Sequence, residues 1–323
     1  MRSPRFKKWF AGVPALNQRQ RRQVLAALLP AAGLDRLLAL LDQCRPDRRC
    51  PACASPHWHR HGQANGLQRY RCRACRRTFN DLSGTPLARL RRREKWIDYL
   101  GALLASLPVR AAAQRVGVHR NTAFRWRHRF LTRVKDDRPQ RLHGICEADE
   151  MFLLESQKGS RQLTRPARKR GGKAQRRGIS CELDCILVAR DRSGQTADAV
   201  TGRGAVSANQ LERHLLALLD PQVLLVTDAN AAYAAFSRRH GIAHQYVNLR
   251  AGQRVRRSSE GAIHVQNVNS YHHRLRDWLL RFHGVASRYL PNYLGWRRAL
   301  DGGRVTSVEQ LLWLAIQPIH SER

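Results

Sequence analysis

Two aspartates and an asparagine stand where side-chain oxygens could hold metal ions. Asp149 lies in the strand-like segment EADEMFLLE, Asp228 ends the apolar run VLLVTD, and Asn269 lies in the helical segment HVQNVNSYHHRLRDWL. Hard oxygen ligands from separate elements are what Mg²⁺ requires, with substrate phosphate and water in the other positions. Two ions about 4 Å apart could activate an attacking oxygen and stabilise a leaving one. Because each aspartate alone could be structural, the prediction of a metal site rests on their joint placement.

Asn269 is the unusual member of this set, since a metal site of this kind would ordinarily hold a glutamate there. An amide carbonyl can bind a metal ion but brings no charge, so the metal affinity should be lower than with glutamate. Glu150 could supply the missing charge, although strand alternation points its side chain to the other face of the sheet. We favour a working variant of the site over an inactive copy, because the surrounding motif is intact. The pattern assigns no role to His264.

The elements that must position these residues follow from the hydrophobic pattern. The second half of the chain predicts the order β-β-β-α-β-α-β-α. That order matches the ribonuclease-H-like fold, in which metal-binding acids lie in the middle of the first strand, just after the fourth strand, and on a late helix. We therefore predict a multidomain α+β protein whose C-terminal α/β domain contains a mixed sheet.

A second metal site is predicted by the spacing of four cysteines. Cys50-x2-Cys53 is followed, after eighteen residues, by Cys72-x2-Cys75. Two such pairs can direct four thiolates at one Zn²⁺ ion, which then supplies folding free energy to a module too small for a core of its own. A redox dithiol or a chance pairing is the alternative. We read the spacing as a structural zinc ribbon.

Residues 94–131 resemble a helix-turn-helix, with small residues at 111–113 for close helix approach and Gly117 at the turn. The second helix of such a motif enters the major groove of DNA with its N-terminus first. Arg120, Asn121 and Arg125 would then face bases or phosphates, since arginine can pair with guanine and asparagine with adenine. The alternative is an ordinary helical bundle with a solvated basic face.

The charge of the chain favours a nucleic-acid partner. The formal net charge is +35, from 59 Lys and Arg against 24 Asp and Glu. Such an excess destabilises the compact state unless an anionic partner neutralises it, and nucleic acid is the commonest one. An arginine-rich composition from a GC-rich genome could explain part of the bias. No segment has the apolar length of a membrane span or the pattern of a secretory signal, so we expect a cytoplasmic protein that is associated with the nucleoid when bound to DNA.

The loop of residues 157–177 holds nine Lys or Arg and no acid. As an insertion next to the strand of Asp149 it would follow phosphates near the metal site, with Lys169, Arg170 and Lys173 as DNA contacts. A disordered, solvated segment is the alternative. The expected domains are a helical segment (1–45), the zinc ribbon (46–82), the helix-turn-helix domain (88–135) and the ribonuclease-H-like catalytic domain (142–323).

The chain resembles the ISXO-like insertion-sequence transposases from about residue 46 to residue 300. The resemblance rests on CPAC…CRAC, EADEMFLLE, VTDANAAY, and HVQNVNSYHHRLRDWL followed by GVASRYLPNYLGWRRAL. It implies a DDE-type transposase that nicks and rejoins DNA with Mg²⁺ or Mn²⁺, as a homo-oligomer on the inverted repeats of its element and on target DNA. It also implies the triad Asp149, Asp228 and Asn269, with the basic residue Arg276 two helical turns on.

Two non-enzymatic readings remain open at the level of sequence. One is a DNA-binding regulator derived from a transposase, with an inactive catalytic domain. The other is a zinc-ribbon adaptor that binds nucleic acid and protein together. The transposase, the regulator and the adaptor would all bind DNA, so only metal-dependent strand cleavage separates the enzyme from the other two.

Overall fold

The computed structural model describes residues 3–44, 47–169, 171–248, 251–259 and 261–317. The chain divides into two compact units. The first comprises Met1–Ser106, Arg110–Ala123 and Ser307–Arg323, and the second comprises Leu107–Val109 and Phe124–Thr306. None of the helices in these described segments combines the length and apolar character that a membrane span requires.

The first unit begins with two helices and a small sheet. The helices are α1 (Pro4–Ala11) and α2 (Gln18–Cys44), and the strands are β1 (Trp58–Ala64), β2 (Leu67–Cys72) and β3 (Thr78–Phe79). The three strands form an antiparallel sheet in the order β1-β2-β3. Asn65 and Gly66, both at positive φ, form the two-residue turn that closes the β1–β2 hairpin. Tyr70 packs between Trp58 and Phe79, so this sheet has a small aromatic core.

Three helices follow: α3 (Trp96–Leu104), α4 (Val109–Val116) and α5 (Arg120–Val134). Gly117 makes the turn between α4 and α5 at a φ of +65°, a conformation that favours glycine. Lys95 Nζ donates to the carbonyl oxygens of Val116 and Gly117 at 2.9 and 2.8 Å. This lysine therefore satisfies backbone acceptors that the end of α4 leaves open.

The second unit is built on a five-stranded mixed sheet in the order β6-β5-β4-β7-β8. Its elements are β4 (Ile145–Leu154), β5 (Leu183–Asp191), β6 (Thr196–Arg203), α6 (Ala208–Leu215), β7 (Leu224–Asp228), α7 (Ala231–His240), β8 (Ala243–Val247), the hairpin β9 (Arg256–Ser258) and β10 (Gly261–Ile263), α8 (Gln266–Leu280) and α9 (Leu290–Asp301). β4 is antiparallel to β5 and parallel to β7. The predicted element order is confirmed as far as α8, apart from the short β9–β10 hairpin, and helix α9 was also not predicted.

The two faces of β4 pack against different helices. Cys146 and Ala148 belong to a buried cluster that includes Tyr233 and Phe236 of α7. Since side chains alternate along a strand, Glu147 and Asp149 point to the opposite face, where α8 packs. This alternation decides which helix each acidic residue of β4 meets.

Helix α9 approaches the end of α5 at close range. A Cβ on Gly295 would lie 2.3 Å from the Cα atom of Lys135, so no larger residue fits without moving the backbone. Arg298, on the same helix, forms a buried ion pair with Asp198 of β6 and donates to the carbonyl oxygens of Lys135 and Asp137 at 2.8 and 3.1 Å. These contacts fix α9 on the sheet.

The last helix, α10 (Val308–Ala315), belongs to the first unit, where it packs with α3 and α2. We had assigned residues 142–323 to one domain, whereas the unit that contains the sheet ends at Thr306 and also includes residues 124–134 of α5. A compact unit is not the same as a functional domain, so the four domain bounds stay predictions.

Candidate active site

Strands β4 and β7 bring the two predicted aspartates to neighbouring positions. The strands pair in parallel, with Glu147 opposite Val226. Asp149 and Asp228 each lie two residues further along these strands, and the charge of Asp228 acts on Asp149. Residues two apart on a strand share a face. Both carboxylates therefore lie on the face that α8 covers.

Asp149 is strongly affected by its surroundings. The pKa of Asp149 is raised to about 7, chiefly by burial and also by the negative charges of Glu150 and Asp228, against a backbone hydrogen bond that lowers it. Taking a carboxylate out of water beside other carboxylates disfavours its charged form. A cation at this place would favour the charged form of both aspartates, so the pair could hold a divalent metal ion.

Helix α8 directs His272 at Asp149. The Nδ1 atom of His272 lies 3.7 Å from the Oδ2 atom of Asp149. Burial and the positive charge of Arg276 lower the pKa of His272 to about 4. Because Asn269, His272 and Arg276 are spaced i, i+3 and i+7, they share one side of the helix. The side that carries the two predicted residues of α8 is therefore the side nearest Asp149.

Asn269 and Arg276 are exposed members of that side, and His272 is its buried member. The backbone N–H of Asn269 donates to the carbonyl oxygen of Val265 at 3.1 Å, which places Asn269 in the first turn of α8. The sequence did not single out His272, because a histidine inside an amphipathic helix shows no sign of what it faces. The roles of Asp149, Asp228, Asn269 and Arg276 stay predictions.

Glu147 joins the strand of Asp149 to the start of α8. Its carboxylate is fully buried, and Oε2 accepts hydrogen bonds from the backbone N–H groups of Asn267 and Val268 at 2.7 and 3.0 Å. Oε1 lies 3.2 Å from His264 Nδ1 and 3.3 Å from a guanidinium nitrogen of Arg192. The contact gives His264 a structural partner, and Glu147 caps the helix that bears Asn269.

Glu150 lies on the other face of the sheet, as strand alternation predicted. It accepts hydrogen bonds from the hydroxyl of Tyr233 and from Asn230 Nδ2, the latter at 3.4 Å. The backbone N–H of Asn230 donates to Asp228 Oδ1 at 3.1 Å. The side-chain oxygen of Asn230 caps α7. Burial raises the pKa of Glu150, and the charge of Asp228 raises it further, while the Tyr233 hydrogen bond lowers it. Asn230, rather than Asp228, is therefore the cap of α7.

The four cysteines of the ribbon come together as their spacing predicted. The sulfur atoms of Cys50, Cys53, Cys72 and Cys75 all lie within 4.8 Å of one another. The pKa of the Cys72 thiol is lowered to about 6, chiefly because the Cys75 amide N–H donates to its sulfur. A thiolate is the form that binds metal. In the described part of the chain, this is the one group of three or more His, Cys, Asp or Glu side chains whose ligand atoms lie this close together.

The helix-turn-helix residues lie at the start of α5. Arg120, Asn121 and Arg125 are exposed, whereas Ala123 and Trp126 are buried. The polar face that we expected to meet DNA is thus free of the core. Reading of bases by these three residues stays a prediction.

The basic loop after β4 is tied to the protein by two acids. The buried Glu155 binds Arg165 at 2.7 Å and Arg203 at 3.1 Å, and Arg168 bridges Glu155 and Glu182 at 3.6 and 3.2 Å. The described part of the loop is therefore anchored and is not a free tail.

The proposed DNA contacts of that loop are only partly within the described residues. Lys169 and Lys173 are exposed, and Arg170 lies outside the described residues. Glu155 stands six residues after Asp149, so the loop leaves the sheet roughly 20 Å further along the strand. It thus begins farther from the aspartates than the sequence suggested.

Two family models match the chain. Residues 141–297 match an ISXO2-like transposase domain, which spans the strands and helices that carry Asp149, Asp228 and Asn269. Residues 88–135 match a homeodomain-like domain, the same range that we assigned to the helix-turn-helix.

Known proteins were also compared along the chain. A protein of Halobacterium salinarum described as an uncharacterized protein in transposable element ISH50 is 29% identical over 249 residues, which is 76% of this chain and 82% of that protein. Two structures of Mos1, a pre-cleavage transpososome and a strand transfer complex, are 15% and 19% identical, with TM-scores of 0.19 and 0.20. Each match spans 63% of this chain, and the two matches span 78% and 77% of the respective Mos1 chains. Scores this low do not establish a shared fold.

The sequence matches agree with one another along the chain. A homeodomain-like domain precedes an ISXO2-like transposase domain, and a relative of similar extent belongs to a transposable element. These matches support an insertion-sequence transposase, in which residues 141–297 correspond to an ISXO2-like transposase domain.

Proposed function

We propose that this transposase cleaves DNA at the ends of its element and joins the freed ends to target DNA, with Mg²⁺ or Mn²⁺ as cofactor. The observation that carries the proposal is the pairing of β4 with β7, which sets Asp149 beside Asp228 within the transposase domain. The two aspartates would hold the metal ions, and the raised pKa of Asp149 fits a group that awaits a cation. The ions would polarise the scissile phosphate and activate the attacking oxygen.

The residues of α8 would complete the site. Asn269 would bind a metal ion through its carbonyl oxygen or orient a ligand. Arg276, exposed on the same side of the helix, would bind a phosphate of the DNA strand. Glu147 would hold the first turn of α8 at a fixed distance from β4, because its two backbone hydrogen bonds leave that turn little freedom.

DNA would be bound mainly outside the metal site. Arg120, Asn121 and Arg125 would read the terminal inverted repeats from the start of α5, where the positive end of the helix also favours phosphate. A zinc ion in the four-cysteine cluster would keep the ribbon folded beside this domain in sequence. Lys169, Arg170 and Lys173 would contact the backbone of the DNA, and the protein would act as a homo-oligomer that holds two element ends.

The test is strand cleavage by full-length protein on DNA that carries the inverted repeats flanking its gene. We expect cleavage and joining that require Mg²⁺ or Mn²⁺, and we expect Asp149→Asn and Asp228→Asn to abolish both while end binding persists. Asp277→Asn is the matched control, since Asp277 is an exposed carboxylate of α8 whose partner is His273. Full cleavage by Asp228→Asn would overturn the mechanism.

The second candidate is a DNA-binding regulator with an inactive catalytic domain, which Asn269 favours because it supplies no charge. In that case the protein would bind the repeats specifically but would not cleave them, whichever divalent ion is present. The same cleavage experiment therefore decides between the two functions.

A further inference from the structure

His272 is a buried polar side chain whose ring is not satisfied by the protein. The residue is 6% exposed, and its Nε2 atom has no hydrogen-bond partner in the described part of the chain. A buried polar atom without a partner carries a free-energy penalty, so such atoms are uncommon in folded proteins. Nε2 is not the nitrogen that faces Asp149, so the case for a metal ligand rests on Nδ1.

The other ring nitrogen faces Asp149 at a spacing that suits a shared metal ion. Nδ1 lies 3.7 Å from Asp149 Oδ2, which is longer than a hydrogen bond. Two atoms that bind one ion at about 2.1 Å are about 3.0 Å apart when adjacent and about 4.2 Å apart when opposite. The observed separation lies between these limits. The two atoms could therefore bind the same ion after a small adjustment.

We propose that His272 is a nitrogen ligand of the metal ion that Asp149 holds, and that it makes the site favour Mn²⁺ over Mg²⁺. The inference rests on the proposed function, which places a metal ion at Asp149. Imidazole binds first-row transition-metal ions, with Mn²⁺ the weakest of the series, whereas Mg²⁺ is bound almost wholly by oxygen. With asparagine at 269, the site has one negative charge fewer than a site of three carboxylates. A nitrogen ligand compensates for this loss with a transition-metal ion but not with Mg²⁺.

The first test is binding of Mn²⁺ to zinc-loaded, full-length protein, measured from the electron paramagnetic resonance signal of free Mn²⁺ with Mg²⁺ as competitor. We expect His272→Gln and His272→Phe to weaken Mn²⁺ binding by about tenfold or more, with a much smaller effect on Mg²⁺. His273→Gln is the matched control, because His273 is the exposed neighbour on the same helix. An unchanged preference for Mn²⁺ in both His272 variants would overturn the proposal.

The second test is decided by the wild-type protein. Electron spin echo modulation of Mn²⁺ bound to the wild-type protein should show coupling to an imidazole ¹⁴N nucleus, retained in His273→Gln and lost in His272→Gln. Absence of this coupling in the wild-type protein would refute the ligand role of His272. If Asp149→Asn binds Mn²⁺ as tightly as the wild type, the metal site of the proposed function is itself wrong. The two failures are thereby distinguished.

Discussion

Glu147 Oε2 lies 2.7 Å from the backbone nitrogen of Asn267, so the strand that bears Asp149 holds the first turn of the helix that bears Asn269. Glu147 and Asp149 are two residues apart on one face of β4, and each meets α8 at a different turn. A helix end leaves several N–H groups without partners, and here a buried carboxylate accepts two of them. The distance between β4 and α8 is thus set by a side chain of the sheet.

Replacing Glu147 should therefore affect both stability and the site. Glu147→Ala leaves two N–H groups without their buried acceptor and removes the ion-pair partner of Arg192, and we expect a loss of about 3 kcal/mol. Glu147→Gln keeps one acceptor and should lose about 1–2 kcal/mol. Thermal unfolding of the full-length protein measures both. Asp277→Asn, at an exposed carboxylate of α8, is the control, and an unfolding temperature in Glu147→Ala equal to that of the control would contradict the capping role.

Asn269 can be tested with two substitutions of opposite character. Asn269→Ala should reduce strand cleavage severely, because it removes the carbonyl group. Asn269→Glu should also reduce it, since a further carboxylate would join a cluster in which burial and like charges already raise the pKa of Asp149 to about 7. Cleavage rates over a range of Mg²⁺ concentrations provide the measurement. Higher activity of Asn269→Glu at lower Mg²⁺ would instead show that Asn269 replaces a lost glutamate.

The ribbon should contain one tightly held zinc ion. Cys50→Ser and Cys72→Ser each remove one of four sulfur ligands, so we expect loss of the metal and unfolding of the β1–β3 sheet. Metal content by mass spectrometry and protease sensitivity near residue 60 report the two effects. Cys181→Ser is the control, since Cys181 is an exposed cysteine outside the cluster. Stoichiometric zinc in the Cys50→Ser, Cys72→Ser double variant would rule out the site.

Recognition by α5 predicts sequence-dependent losses of affinity. Arg120→Ala or Arg125→Ala should weaken binding to the element end by roughly 1–3 kcal/mol and relax preference at one base pair if the side chain reads a base. Gel shifts on the end sequence and on point-mutated ends supply the comparison. Arg36→Ala controls for the loss of charge, because Arg36 is paired with Glu309. An equal loss on all DNA sequences would mean a phosphate contact.

His128 predicts an acid-sensitive contribution to stability. Its ring stacks on the ring of Tyr289, with 3.8 Å between the ring centroids. Burial, together with the charges of Arg127 and Arg288, lowers the pKa of His128 to about 4. The unfolded chain, with a pKa near 6.5, binds more protons between about pH 6.5 and pH 4, so stability falls as the pH falls through this window. Between pH 7 and pH 5, the unfolding temperature of the His128→Phe variant should fall less than that of the wild-type protein. Parallel curves would contradict this.

The sequence predicted the parts of the site that depend on local pattern. The apolar run that ends in Asp228 and the alternation around Asp149 fix strands and faces, so the two aspartates were placed correctly on their elements. Glu147 and His272 were missed as site residues, because their partners lie more than 100 residues away in the chain. No local period shows which buried carboxylate will meet a helix end.

The same limit explains two other differences. The segment of α10 is amphipathic, but nothing within it shows that it packs with α2 and α3. The basic loop lacks acids of its own, so its composition predicted either contacts with DNA phosphates or a disordered, solvated segment. Glu155 and Glu182, which flank the loop in sequence, were not recognised as its anchors.

The anchoring of the loop changes how DNA binding should respond to salt. A cation that contacts DNA phosphate releases a condensed counterion, which adds about 0.9 to the slope of log affinity against log salt concentration. Arg165 and Arg168 are already held by Glu155, so they exchange a protein carboxylate for a phosphate and release less. Lys169 and Lys173 are exposed to solvent. The salt dependence of this transposase should therefore be weaker than its net charge of +35 suggests.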